Sequence, residues 1–335
     1  MRRRGLSACR AAAVILAAMF AAVPATRAAA VAAPAAAHCP QPPGPARTRR
    51  EAARARRLLL QEQQSCIAAA VARLAPRVPG TTNVFFVGFA GYGEQRVFRR
   101  EAETARRVFA ERFGSLDRSL ELVNDIHDRS TYPLATFDNL RYALRLIGRR
   151  MNRDRDLLVL VLTSHGSPDD GIAITNGDLI DDALSPRDVR QVLNEAHVRW
   201  RVVIASACYA GIFIRPLETD TSLIMTAADS RHSSFGCADD RDLTYFGEAL
   251  FADALPQACS LEDAFASARR IIRRRETAEG EIHSNPQIYV GSRMRAKLGR
   301  LALTRVSDSA GRGARCAFPP RPPPRGRGAD RGVHR

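Results

Sequence analysis

Two residues of this 335-residue chain have the type and setting for covalent chemistry: His165 and Cys208. The run DLLVLVLTSHG, Asp156 to Gly166, is continuously apolar and then stops at Ser164-His165-Gly166, which reads as a buried strand ending in a loop. The pattern repeats in WRVVIASACYAG, Trp200 to Gly211, where a second buried strand ends at Ala207-Cys208-Tyr209-Ala210-Gly211. If the helix between them is a right-handed crossover, the two strands are parallel and their carboxyl ends share one rim. Open α/β sheets place their chemistry on that rim. A thiol needs a nearby base to become a thiolate at neutral pH, and a histidine on the adjacent strand end supplies one. The N–H of Gly166 can stabilise an oxyanion beside them. The chemistry such a pair performs is Cys-His hydrolysis of an acyl group.

Each residue alone has a plainer explanation. Buried cysteine is a common small hydrophobe, and a loop histidine is often bonded only to backbone. The argument rests on both standing at the ends of successive buried strands. Other chemistries fit less well. Asp169 and Asp170 are neighbours in one loop and read as turn residues, whereas paired acid catalysis needs facing carboxylates. Ser164 and Ser206 lack the G-x-S-x-G elbow of a serine hydrolase. Gly91-Tyr92-Gly93 lacks the spacing of a nucleotide fingerprint, and no Cys/His spacing suggests zinc. The reaction requires no metal and no cofactor.

The elements that must position the pair are legible on both sides of them. NVFFVGFA (Asn83 to Ala90) reads as a strand leading into the loop Gly91 to Glu94 on the same rim. Val97 to Phe113 reads as an amphipathic helix, Arg118 to Asp125 as a strand, and Phe137 to Met151 as a helix capped by Thr136. After the His strand, Gly171 to Ile180 reads as a hairpin about Asn176-Gly177, and Ser185-Pro186 caps a helix reaching about His197. Ser222 to Asp229 is a further strand, and Ser230 to Asp240 a loop long enough to wall a pocket. Helices at Tyr245 to Leu255 and Leu261 to about Glu276, then an edge strand at Asn285 to Gly291, complete the pattern. Alternating strands and helices predict an α/β fold with a mostly parallel sheet covered on both faces.

The flanking segments are of another kind. Residues 1–28 combine a basic start, an apolar stretch from Ala11 to Val23 and Thr26-Arg27-Ala28, the pattern of a signal peptide. Residues 29–80 read as an Ala/Pro/Arg linker and an N-terminal helix, Glu51 to Leu74, that either packs on the main domain or is a removable pro-segment. The main domain spans 81–305, and residues 306–335 read as a disordered basic Pro/Arg/Gly tail. The net charge of +16 resides mostly at these ends: residues 1–28 carry five Arg and no acids, and residues 311–335 carry seven Arg against Asp330. The remaining +5, with no aromatic interleaving, does not point to nucleic acid. No segment after the signal is apolar and long enough to span a membrane. Export would place the chain in the periplasm or outside the cell and permit disulfides among Cys39, Cys66, Cys208, Cys237, Cys259 and Cys316. The sequence does not assign their pairing.

The TSHG and SAC motifs, in this order and about forty residues apart, resemble those of the legumain-like cysteine peptidases, which share the caspase-type fold. VGFAGYGEQ, TAADSRHSSFGC and TYFG resemble the bacterial branch of that family, and the likeness runs from about Asn83 to Gly291. It implies a caspase-like three-layer sandwich with a six-stranded sheet, His165 as general base, Cys208 as nucleophile, and the N–H groups of Gly166 and Cys208 as oxyanion hole. It also implies that the Gly91 to Gln95 loop orients His165. Glu94 is the residue chosen for that role, with a solvated loop acid as the alternative. Legumain has Glu directly after its nucleophile, in its specificity pocket, where this chain has Tyr209; Tyr209 and Glu94 are candidate pocket residues, and the preference at the cleavage site is left open. His232 is a candidate pocket residue or an ordinary surface histidine, and Cys237 a pocket thiol or half of a disulfide. The expected function is an exported cysteine endopeptidase acting on peptides or proteins. The alternatives are a transpeptidase or transamidase of the same chemistry, or a binding module that keeps the fold without catalysis.

Overall fold

A computed structural model describes Cys39, residues 48–128 and residues 130–301. The expected signal peptide, most of the expected linker and the expected basic tail lie outside the described residues. The chain opens with α1 (Arg49–Arg73), where Thr48 and Glu51 form a reciprocal capping box. Then follow β1 (Val84–Ala90), α2 (Arg96–Phe113), β2 (Ser119–Val123), α3 (Phe137–Arg150) and β3 (Leu157–Thr163). Short strands β4 (Gly166–Ser167), β5 (Gly171–Thr175) and β6 (Asp181–Leu184) precede α4 (Pro186–Glu195) and β7 (Arg201–Ser206). After α5 (Ile214–Leu217) and β8 (Ser222–Thr226) comes α6 (Tyr245–Gly247), which runs on as a π-helix over Glu248–Ala254. The described chain ends with α7 (Leu261–Glu279), β9 (Gln287–Val290) and α8 (Ser292–Leu298).

Six strands form the central sheet in the order β2-β1-β3-β7-β8-β9, all parallel except the edge strand β9. The sheet is the middle layer of a three-layer sandwich. Every residue of β1, β3, β7 and β8 is buried, because helices cover both faces. Alternate residues go to opposite sides: Phe85, Val87, Leu158, Leu160 and Val203 join α1, α3 and α4. Phe86, Val159, Val161, Val202 and Ile204 join α2, the π-helix and α7. At the opposite end of the sheet from the chemistry, the buried Asp156 carboxylate accepts the Asn83 N–H at 3.1 Å and the Asn152 N–H at 2.6 Å, and pairs with Arg77. These bonds lock the β1 and β3 register at its start.

The N-terminal helix α1 is part of this packing. Ile67, Val71 and Leu74 recur at helical spacing and are buried against α3. Gln63 Oε1 accepts the Leu134 N–H at 2.8 Å, and a disulfide joins Cys39 to Cys66 of the helix.

Three elements differ from expectation. The hairpin places its second strand at Asp181–Leu184, not at residues 178–180, with Thr175 opposite Asp181. Two adjacent aspartates hide a strand that exists through pairing to β5 rather than through its own propensity. The helix expected at Tyr245 to Leu255 is mostly π-helical. α8 had no sequence signal strong enough to mark it.

Candidate active site

The strand ends set the site. Ala90, Thr163 and Ser206 stand side by side as the last residues of β1, β3 and β7. His165 lies two residues beyond Thr163, and Cys208 two beyond Ser206, so the parallel register delivers both loops to one rim. The loops touch. A Cβ on Gly166 would lie 2.2 Å from the Cys208 carbonyl oxygen, a separation only glycine permits. Gly166 faces Ile172 across β4 and β5, while Ala173 N donates to His165 O at 3.0 Å. That pattern makes Gly166 a non-hydrogen-bonded position, its N–H turned away from the partner strand. Among the described residues the Cys208 N–H has no backbone acceptor.

The His165 ring is half-buried and held on three sides. Tyr92 and Phe98 meet it edge-on, with centroids 4.5 and 5.0 Å away. Its Nε2 lies 2.7 Å from Gln95 Oε1. An amide oxygen accepts only, so Nε2 carries the hydrogen and Nδ1 is left unprotonated in the neutral ring. Burial pushes His165 below its ordinary pKa, and the charge of Glu94 partly opposes the shift. Glu94 itself does not bond the imidazole, which corrects its assignment. It bonds the Thr175 hydroxyl and accepts the Gly177 N–H at 2.7 Å. Burial of Glu94 is outweighed by these bonds, which hold its carboxyl below the usual range. Its bonds pin the β5–β6 turn to the rim loop.

Cys208 is a free, half-buried thiol. Its sulfur accepts the Ser234 N–H at 3.3 Å and donates to Ser234 O at 3.4 Å. Tyr209 adopts left-handed backbone, φ 57°, rare for a bulky side chain. The turn is held because Tyr209 N donates to His232 O at 2.9 Å, and Ser233 Oγ donates to the Tyr209 hydroxyl at 3.3 Å. His232 is tied by Nδ1 to Asp229, 2.8 Å from both carboxylate oxygens. His232 and Tyr209 thus brace the wall beside the sulfur. Cys237 is a free thiol in the same wall; burial pushes it up to about 12, and the nearby Cys208 and Glu101 add to the shift. No disulfide joins it, and Cys259 is disulfide-bonded.

Gln95, Tyr92, Phe98 and Ser234 were not singled out by sequence reasoning. Gln95 carried a signal: it occupies the N-cap of α2, where Ser, Thr, Asp or Asn is usual, and its side chain makes no cap bond.

A mostly parallel six-stranded sheet, with a histidine loop and a free-cysteine loop on adjacent strand ends, defines the class: a cysteine peptidase of caspase-like architecture. Residues 147–297 match the Peptidase C13 family, the legumain family of cysteine peptidases. The matched segment contains both His165 and Cys208 and begins after β1, α2 and the Gln95 loop. No curated protein matches the chain.

Proposed function

We propose that the chain is an exported cysteine endopeptidase in which Cys208 is the nucleophile and His165 the general base. The observation that carries the proposal is the contact of the two strand-end loops, with a free sulfur on one and a tautomer-fixed imidazole on the other. His165 takes the thiol proton, and the Cys208 sulfur attacks the scissile carbonyl carbon. The N–H groups of Gly166 and Cys208 receive the oxyanion. As the C–N bond breaks, the imidazolium returns its proton to the leaving amine, and a thioester remains. His165 then deprotonates water, which attacks the thioester, releases the acid and restores the thiol. Tyr209, His232 and Cys237, which lie beside the sulfur, are the proposed substrate wall. Export is supported by the Cys39–Cys66 disulfide, a bond that persists in oxidising compartments. Among the described residues no helix is long and apolar enough to cross a membrane.

The test is incubation of the mature protein with a diverse peptide library and readout of cleavage sites by mass spectrometry. Cleavage that vanishes in Cys208→Ala, and falls about 10²- to 10⁴-fold in His165→Ala, is expected. Cleavage that persists in Cys208→Ala would sink the assignment.

A further inference from the structure

Glu101, on α2, is a carboxyl with no exposure at all, directly beneath the rim. It follows Phe98 by one helical turn on the buried face, where an apolar residue would be the cheap choice. Its Oε2 accepts the Thr244 N–H at 3.2 Å and bonds the Thr244 hydroxyl. That hydroxyl also accepts the Gly247 N–H at 2.9 Å and lies 3.3 Å from Ser206 Oγ. Ser206 and Thr163 lie close to the same carboxyl, Ser206 through its contact with Thr244, while Thr163 Oγ1 and Glu101 Oε1 are buried without a hydrogen-bond partner. A Cβ on Gly247 would sit 2.1 Å from Oε2, so α6 has glycine where the carboxyl needs room. The helix becomes π-helical at the next residue, a local rearrangement that is frequent at functional sites.

Three parts of the site therefore meet at one side chain. Thr163 and Ser206 are paired in register, each two residues before the histidine or the cysteine. Thr244 closes the loop whose Ser234 holds the Cys208 sulfur. We propose that Glu101 is a positioning residue, a buried junction that fixes the histidine loop, the cysteine loop and the pocket wall relative to one another. It touches neither substrate nor sulfur. Burial raises its carboxyl above the ordinary range, against the hydrogen bonds it accepts from Thr244. Glutamine keeps the side chain's length and an oxygen that can accept from Thr244, whereas alanine keeps neither.

The proposal rests on the Cys-His assignment, and its test keeps the two separable. Full-length mature wild type, Glu101→Ala, Glu101→Gln and Thr244→Val are compared by near-UV circular dichroism, kcat, KM and the rate at which iodoacetamide labels Cys208, located by peptide mapping. Glu101→Ala should lose about 100-fold in kcat with little change in KM, the cost of displaced reacting groups. It should also change the Cys208 labelling rate, and Glu101→Gln should restore both. If Glu101→Ala does not fold, Thr244→Val, which removes the hydroxyl's bonds to Glu101, Ser206 and the Gly247 N–H but keeps the backbone N–H on Glu101, should show the same kcat loss in folded protein. A folded variant lacking the link with wild-type kcat and labelling overturns the proposal, as does a loss that only tracks the folded fraction. Labelling needs no turnover, so it reports on Glu101 even if no peptide is cleaved, and peptidase failure shows separately in the wild type.

Discussion

Gln95 Oε1 lies 2.7 Å from His165 Nε2, and this contact decides which imidazole nitrogen is free to act as a base. Gln95→Ala should leave the fold intact and lower kcat about 100-fold, because the ring loses its tautomer and its aim. Gln95→Glu should retain the contact and raise the His165 pKa by adding a charge. Steady-state kinetics of the two variants check both statements, and an unchanged kcat in Gln95→Ala would show that Tyr92 and Phe98 suffice to orient the ring.

The pH dependence follows from the burial of the same ring. Its pKa lies below the usual value near 6.5, so the acid limb of kcat/KM should fall below that pH. Glu94→Gln removes a charge that favours the imidazolium, and the limb should move lower still. Stability has the matching sign. The unfolded chain binds the proton more readily than the folded one, so this contribution is full above about pH 6.5 and is lost as pH falls through the folded value. A limb above 6.5, or one that rises in Glu94→Gln, contradicts the account.

Gly166→Ala tests the contact between the two loops. Its Cβ would meet the Cys208 carbonyl oxygen at 2.2 Å, and a backbone atom cannot swing aside as a side-chain tip can. The variant should fold, since β3 is unaltered, yet lose activity by about 100-fold or more through displacement of Cys208. Crystallographic comparison with activity assays would decide it.

Much of this arrangement was readable from the amino acids. Continuous apolar runs in β1, β3, β7 and β8 gave away a sheet buried on both faces, and His165 and Cys208 followed from their places at two strand ends. What stayed hidden depended on tertiary partners. Asp181-Asp182 has no strand propensity and pairs only because β5 offers an edge. Glu94 and Gln95 are adjacent polar residues of one loop, and no pattern says which of them faces the imidazole. Glu101 was masked by a mostly apolar helix face, where its charge type looked incidental.

The N-terminal disulfide makes a separate prediction. Closing the 27-residue separation between Cys39 and Cys66 should contribute about 3.5 kcal/mol by restricting the unfolded chain. A Cys39→Ser/Cys66→Ser double variant should melt earlier, while its kcat at low temperature stays at the wild-type value because neither residue reaches the rim. Calorimetry and kinetics check this, and an unchanged melting temperature would count against it.

That same covalent clasp bears on how such a peptidase could be switched on by trimming. A cut anywhere in the chain between Cys39 and Cys66 leaves the two fragments joined through sulfur, and Ile67, Val71 and Leu74 still anchor the helix. Nicking there frees no inhibitory piece, so maturation by release of a leader must sever the backbone outside that loop or wait for a reductant.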